Sequence, residues 1–339
     1  MSIESLIRSN IKNLVPYSSA RSEFTGVGST FLDANENPYG RLNRYPDPQQ
    51  KKLKKKLSDI KKVQVENIFI GNGSDEVIDL AFRIFCNPGQ DKVLIFTPTY
   101  GMYQVAAAIN DIEVISQSLD RNFQIDYEKL LPFLSDRNIK IIFICSPNNP
   151  TGNSMQSLQY ILDNFNGIIF LDEAYIDFSV YPSALSYLDK YPNLIISQTL
   201  SKAYGLAAAR VGLAYASAEI VALYNKVKPP YNVSTLNQEA ALAALSDHKG
   251  YEYRLKKILK QREFVKDELK EITSIIKIHP TDANFLLVEF KEADRIYNEL
   301  ISKQVITRNR TTVVSNCIRI TIGSKKENKK LIAALKKII

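Results

Sequence analysis

Short apolar runs alternate with helical patterns from about residue 68 to residue 216. The runs cover residues 68–70, 93–96, 112–116, 139–145, 168–171, 194–197 and 211–216, and amphipathic stretches such as 75–86, 102–110 and 158–165 lie between several of them. Runs of Ile, Val and Phe joined by helices predict a mostly parallel sheet with helices on both faces. Such sheets bind ligands beyond the carboxyl ends of their strands. Gly71, Pro98, Pro147, Asp172 and Ser201 all closely follow strand candidates, so the chemistry converges on one sheet edge. Lys228-Pro-Pro-Tyr231 then breaks the pattern. Helical patterns at 234–247 and 250–272 follow, the second long and lysine-rich on one side. Strands at 284–290 and 317–322 and a last helix at 326–338 complete a smaller α+β domain. The expectation is an α/β chain in three parts. Residues 1–38 form an arm on the small domain or a partner subunit, 39–230 a large ligand-binding domain, and 231–339 the small domain.

Composition excludes several function classes. The 339 residues hold 45% hydrophobic side chains and no apolar run near the roughly 20 residues of a membrane span. Met1-Ser-Ile-Glu-Ser lacks the basic-then-apolar layout of a signal peptide. Three cysteines (Cys86, Cys145, Cys317) lie far apart among apolar residues and read as buried reduced thiols of a cytoplasmic protein. With only His248 and His279, both read as surface residues, no metal site or histidine triad is expected. The net charge of +8 comes from lysine clusters such as Lys51-Lys52, Lys54-Lys55-Lys56 and Lys61-Lys62, mixed with leucines and acids at helical spacing. That is the pattern of solvated helix faces, and no nucleic-acid motif accompanies it. A positive field suits anionic small molecules instead.

The chemistry-bearing motifs come in order. Lys202 sits in Thr199-Leu-Ser-Lys-Ala-Tyr-Gly-Leu-Ala-Ala-Ala-Arg210. Alone it would be a surface lysine; beside the other motifs it is an amine that desolvation keeps neutral for attack on an aldehyde. Asp172 closes the apolar strand Gly167-Ile-Ile-Phe-Leu171, where a carboxylate needs a cationic partner. A protonated ring nitrogen fits; a helix cap or an arginine pair is the plainer alternative. Glu173 and Asp177 read as surface acids. Tyr175 and Asn149, in Asn148-Asn-Pro-Thr-Gly152, offer hydrogen bonds to a phenolic oxygen. Thr199, Ser201 and Arg210 suit a phosphate. Gly73, Ser74 and Asp75, in Gly71-Asn-Gly-Ser-Asp-Glu76, add backbone N–H groups at a helix start, unless Ser74 or Asp75 simply caps that helix. Tyr100, opening the next helix, can stack on a ring or simply fill the core. One molecule needs this whole set: pyridoxal 5′-phosphate (PLP).

These motifs resemble the fold-type I PLP enzymes, the aspartate aminotransferase superfamily, through nearly the whole chain. The resemblance implies a homodimer with active sites at the subunit interface. Asn13-Leu-Val-Pro-Tyr-Ser-Ser-Ala-Arg21, Leu32-Asp-Ala-Asn-Glu-Asn-Pro38, Arg44-Tyr-Pro-Asp47 and Cys317-Ile-Arg-Ile-Thr-Ile-Gly323 are similar to the histidinol-phosphate aminotransferase family. That implies amino transfer between L-histidinol phosphate and 2-oxoglutarate, in histidine biosynthesis. It also implies that Tyr45 reaches the cofactor phosphate of the partner subunit and that Arg308 and Arg319 bind substrate anions. Tyr17 would then help to hold the substrate phosphate, with Asn35 near the same site. Arg310 competes with Arg308 for its role. An aromatic aminotransferase and a threonine-phosphate decarboxylase share Lys202 and Asp172 and remain as alternatives. A non-enzymatic PLP-binding or basic regulatory protein would need a DNA-binding segment, which the sequence lacks.

Overall fold

The computed structural model describes residues 3–18 and 30–338. Seven strands form the large sheet: β1 Ile68–Asn72, β2 Lys92–Thr97, β3 Glu113–Ser118, β4 Ile139–Cys145, β5 Ile168–Asp172, β6 Leu194–Thr199 and β7 Val211–Tyr215. Their order is β1-β7-β6-β5-β4-β2-β3, and only β7 runs antiparallel to its neighbours. Successive strand residues face opposite sides. Thus Ile142 and Ile144 of β4 join Leu53, Leu57, Leu171 and Ile196 in one core. Ile141, Phe143 and Cys145 join Phe82, Tyr103 and Phe170 in the other. Two buried faces explain the near-continuous apolar runs in the sequence.

A second sheet holds β8 Ile275–Ile278, β9 Phe285–Phe290, β10 Arg308–Asn309 and β11 Cys317–Thr321, in the order β10-β11-β9-β8, all antiparallel. Its core includes Leu286, Val288, Ile318 and Ile320 and is closed by helices His248–Lys270, Ala293–Ser302 and Lys325–Ile338. Arg262, buried on the long helix, donates to the carbonyls of Ala283 (2.9 Å) and Phe178 (3.4 Å). It thereby ties the smaller sheet to the loop after β5.

Several expectations need correction. The opening residues pack against the large sheet's helices, not the smaller sheet. Ile3 and Ile11 enter the core around Phe82, and the Arg8 N–H donates to Ile84 O (3.1 Å). Glu173 is buried: it follows Asp172 at the strand end and so faces the opposite way. It accepts bonds from Ser183 Oγ (2.5 Å), Ala184 N (2.8 Å) and Gln198 Nε2 (2.9 Å). Asp177 is half-buried, accepting from Tyr251 OH (3.0 Å) with Lys61 Nζ 3.8 Å away. His279 is buried beside Phe123, and burial lowers its pKa to about 4, so it stays neutral near pH 7. Lys54 also leaves the solvated face, being only 6% exposed beside Leu53 and Leu57. All three cysteines are buried and free. Among the described residues, no helix is long and apolar enough to cross a membrane, and no group of three or more His, Cys, Asp or Glu could hold a metal.

Candidate active site

Beyond the carboxyl ends of β4, β5 and β6 lies a cavity of about 520 Å³. Ser74, Asp75, Tyr100, Asn149, Asp172, Tyr175, Thr199, Ser201, Lys202 and Arg210 line it, joined by Arg308 of β10, Arg310 just beyond that strand and Arg319 of β11. Asp172 forms its floor at 3% exposed. Among the described residues its hydrogen-bond donors are both neutral. Oδ2 accepts from Tyr103 OH (2.7 Å) and Oδ1 from Ala174 N (3.1 Å). Burial raises its pKa to about 6, although these two donors and Lys202 favour the charged form. A buried carboxylate with two neutral donors and no ion pair fits a cationic ring N–H brought by a ligand.

Lys202 leaves β6 in the turn after Thr199, with its Nζ over the Tyr175 ring, 5.5 Å from the centroid. Its pKa is lowered, first by burial and then by the Arg319 guanidinium. Tyr175 is buried edge-on to Phe285. Asn149 accepts a hydrogen bond from Arg319. Its neighbour Asn148, which motif reading left without a role, is fully buried and ties three loop groups together. It donates to Pro98 O (2.8 Å) and Thr151 Oγ1 (2.8 Å) and accepts from Thr99 Oγ1 (3.0 Å).

At one end of the cavity, helix Ser74–Phe85 starts after Gly73, and no side chain caps it. Ser74 and Asp75 are therefore helix residues, not caps. Gly73 has φ +79, and a Cβ there would lie 2.4 Å from Arg210 Nη2. The left-handed φ favours glycine there, and the missing Cβ leaves room for the guanidinium. Arg210 reaches Asp75 Oδ2 (3.1 Å), and Tyr100 OH donates to Asp75 Oδ1 (3.0 Å). Thr199 Oγ1 and Ser201 Oγ are 3.0 Å apart. This end gathers hydroxyls, a guanidinium and uncapped helix N–H groups, a donor set for a phosphate. Tyr100 precedes its helix, which begins at Met102.

From the smaller sheet, Arg308 pairs in register with Arg319 across β10 and β11, and the Arg310 N–H continues the ladder to Cys317 O (2.9 Å). These three guanidiniums share the cavity with that of Arg210. Nε of both Arg310 and Arg319 is buried without a hydrogen bond, and no carboxylate is among the groups that shift either pKa. Burial, with Arg308 beside both, lowers each.

Tyr17, Asn35 and Tyr45 lie outside this cavity in the single chain. Tyr17 is 76% exposed. Asn35 and Tyr45 line a separate cavity of about 450 Å³ with Glu36, Arg44 and Leu236, where Tyr45 stacks on Tyr231 at 4.3 Å.

The model of the family aminotransferase class I and II matches residues 19–335. A histidinol-phosphate aminotransferase of Cytophaga hutchinsonii is 49% identical, over 99% of this chain and 99% of its own length. That of Parabacteroides distasonis is 51% identical over 98% of each. The chain belongs to the class I and II aminotransferases, in the histidinol-phosphate aminotransferase family. Its fold agrees. The crystal structure of the histidinol-phosphate aminotransferase from Clostridium acetobutylicum superposes with a TM-score of 0.81 at 27% identity, covering 88% of this chain and 91% of that one. One from Sinorhizobium meliloti, in complex with pyridoxal-5′-phosphate, gives 0.80 at 24% identity and supports the fold alone; it covers 87% of this chain and 83% of that one.

Proposed function

We propose that this chain is a PLP-dependent transaminase. It moves the amino group of L-histidinol phosphate to 2-oxoglutarate, giving imidazole acetol phosphate and glutamate. The observation that carries the substrate side is the guanidinium triad of Arg308, Arg310 and Arg319, facing Lys202 and Asp172 across one cavity. Both amino donors are anionic at the end away from the reacting amine, one a carboxylate and the other a phosphate. Guanidiniums bind either in bidentate fashion.

The cofactor, when bound, supplies an electron-withdrawing ring that stabilises charge developing at the substrate's α-carbon. The chain's residues do the rest. Asp172 would receive the ring N–H. Ser201 Oγ, Thr199 Oγ1, Arg210 and the N–H groups of Ser74 and Asp75 would hold the phosphate, whereas the Gly73 N–H, expected to join them, already donates to Arg210 O (2.9 Å). Tyr100 would cover the ring. Tyr175 OH and Asn149 would contact its phenolic oxygen. Lys202 Nζ would be the amine for the aldehyde and would take the proton from the substrate's α-carbon. The lowered pKa suits that task, because a base must be neutral to accept a proton. Arg308, Arg310 and Arg319 bind the substrate anion.

The reading extends to the assembly. Residues 1–38, 39–230 and 231–339 serve as arm, large domain and small domain of a cytoplasmic homodimer. Tyr45 reaches the partner's cofactor phosphate, and Tyr17 and Asn35 approach a substrate phosphate. The test is a screen of half-reactions. The purified protein is mixed with histidinol phosphate, glutamate, phenylalanine, tyrosine or threonine phosphate while the cofactor's absorbance is followed. Conversion with histidinol phosphate and glutamate supports the reading. Inertness to histidinol phosphate, with turnover of phenylalanine or tyrosine, replaces it with an aromatic aminotransferase. Release of carbon dioxide from threonine phosphate replaces it with a decarboxylase.

A further inference from the structure

We propose that Tyr103 is a positioning residue whose buried phenol keeps Asp172 ionised and aimed at the cavity, so that the proton they would otherwise share stays on the cofactor's ring nitrogen. The inference rests on the proposed function and concerns a residue that does not itself line the cavity. Tyr103 is fully buried on helix Met102–Ile109, stacked on Phe143 at 5.0 Å and edge-on to Tyr100 at 5.7 Å. This packing leaves the ring one orientation. In it the hydroxyl lies 2.7 Å from Asp172 Oδ2, the spacing of a charge-assisted O–H···O bond. Ala174 N holds Oδ1 at 3.1 Å. Each carboxylate oxygen therefore carries one protein donor, and both donors are neutral.

The surroundings explain why the phenol matters. Burial and the Asp75 carboxylate push Asp172 toward its protonated form; Tyr103, the Ala174 N–H and Lys202 pull it back. The other titratable groups nearby, the Cys145 thiol and the Tyr100 and Tyr175 phenols, are pushed up by burial and keep their protons. Tyr103 is pushed well above the usual phenol range by the same cause, so it remains a donor. When a carboxylate and a ring nitrogen share a proton, relative basicity decides where it sits. A hydrogen bond to Oδ2 makes the carboxylate less basic and leaves the proton on nitrogen. Without that bond the proton moves toward Asp172, and the ring loses withdrawing power.

Tyr103→Phe removes one oxygen and preserves the packing. The protein is loaded with pyridoxal phosphate labelled with nitrogen-15 in the ring, and the nitrogen resonance is followed against pH. We expect the pH at which the ring nitrogen loses its proton to fall by about one unit in the variant. The kcat should fall about ten- to hundredfold, with the KM for glutamate within about twofold. A second measurement needs no cofactor: in the apoprotein, the carbon-13 titration of Asp172, near 6 in the native chain, moves upward in the variant. If both midpoints stay in place in a folded Tyr103→Phe protein, the proposal is overturned even if kcat falls, because Tyr103 then acts through packing alone. If the native chain takes up no pyridoxal phosphate, the proposed function falls and this inference with it.

Discussion

That Lys202, Asp172, Asn149 and Arg210 meet in one cavity was legible: the first three follow apolar runs, Arg210 precedes one, and the antiparallel β7 brings its amino end to the carboxyl ends of its neighbours. Tyr103 and Asn148 were not, since what gives them meaning is a partner 69 or about 50 residues away in the chain. Glu173 misled for the same reason: Gln198, which helps satisfy its charge, lies 25 residues on. At this scale the sharpest expectation concerns Asp172. In Asp172→Asn a neutral amide cannot hold a ring nitrogen protonated, so proton abstraction should slow by a hundredfold or more, about 3 kcal/mol. Single-turnover rates with glutamate read this directly, and rates close to native would contradict the role. Arg310 offers the complementary test on the substrate side. A phosphate presents more acceptors than a carboxylate, and three guanidiniums stand where two would hold a carboxylate. Arg310→Gln should weaken the histidinol-phosphate half-reaction by about 1.5–3 kcal/mol and the glutamate half-reaction by less. Equal losses with both donors would give Arg310 no part in discrimination.

Among elements, the buried strands of the large sheet were read nearly as they fold, because apolar runs bounded by turns leave few alternatives. The short strands were not. β10 has only two residues and is defined by its partner β11, not by a pattern of its own. β8 is an edge strand, with only Ile275 and Ile278 partly buried against the core. Helix Lys51–Lys61 was legible from its spacing, but the charge of its lysines suggested a solvated face for all of them. Its Lys54 lies on the side that buries Leu53 and Leu57. Burial and the nearby Lys228 lower the Lys54 pKa from 10.5 to about 8. A base whose folded pKa is depressed penalises the fold wherever it is charged. Below pH 8 both folded and unfolded chains carry the proton, and the full cost is present. From pH 8 to 10.5 the folded chain releases it first, and the cost fades. At 1.36 kcal/mol per pH unit, the cost near neutrality is about 3 kcal/mol. Lys54→Met should therefore stabilise the protein by up to about that amount at pH 7, with the advantage shrinking toward pH 10. Paired denaturant titrations across that range check both the sign and the trend. A constant difference would place the Lys54 charge in water.

At the scale of the whole molecule, the single chain leaves one part of the proposed chemistry at a distance. Tyr45 lines the second cavity, not the one holding Lys202, and exposed apolar side chains surround it. Leu42 and Leu236, which line the same cavity, are each more than half exposed. Exposed apolar surface there suits the proposed contact with a second copy of the chain. A two-fold pair of copies would bury the same patch on both and carry each Tyr45 toward its partner. The sequence pointed to this only through resemblance, because a patch that acts on another molecule leaves no pattern within its own chain. Two inactive variants can decide the matter. Lys202→Ala lacks the amine but keeps Tyr45; Tyr45→Phe lacks the phenol but keeps the amine. If Tyr45 serves its own chain, every site in a mixture has lost one group, and mixing gains nothing. If it serves the partner, each mixed dimer holds one site with both groups intact and one with neither. Random pairing makes about half the dimers mixed, so about a quarter of native activity should appear above that of the parents. Tyr45→Phe alone must first be clearly impaired, which its own kcat/KM establishes. Co-expression with distinct tags isolates the mixed dimer, and its activity per site then separates the two arrangements without relying on the mixing ratio.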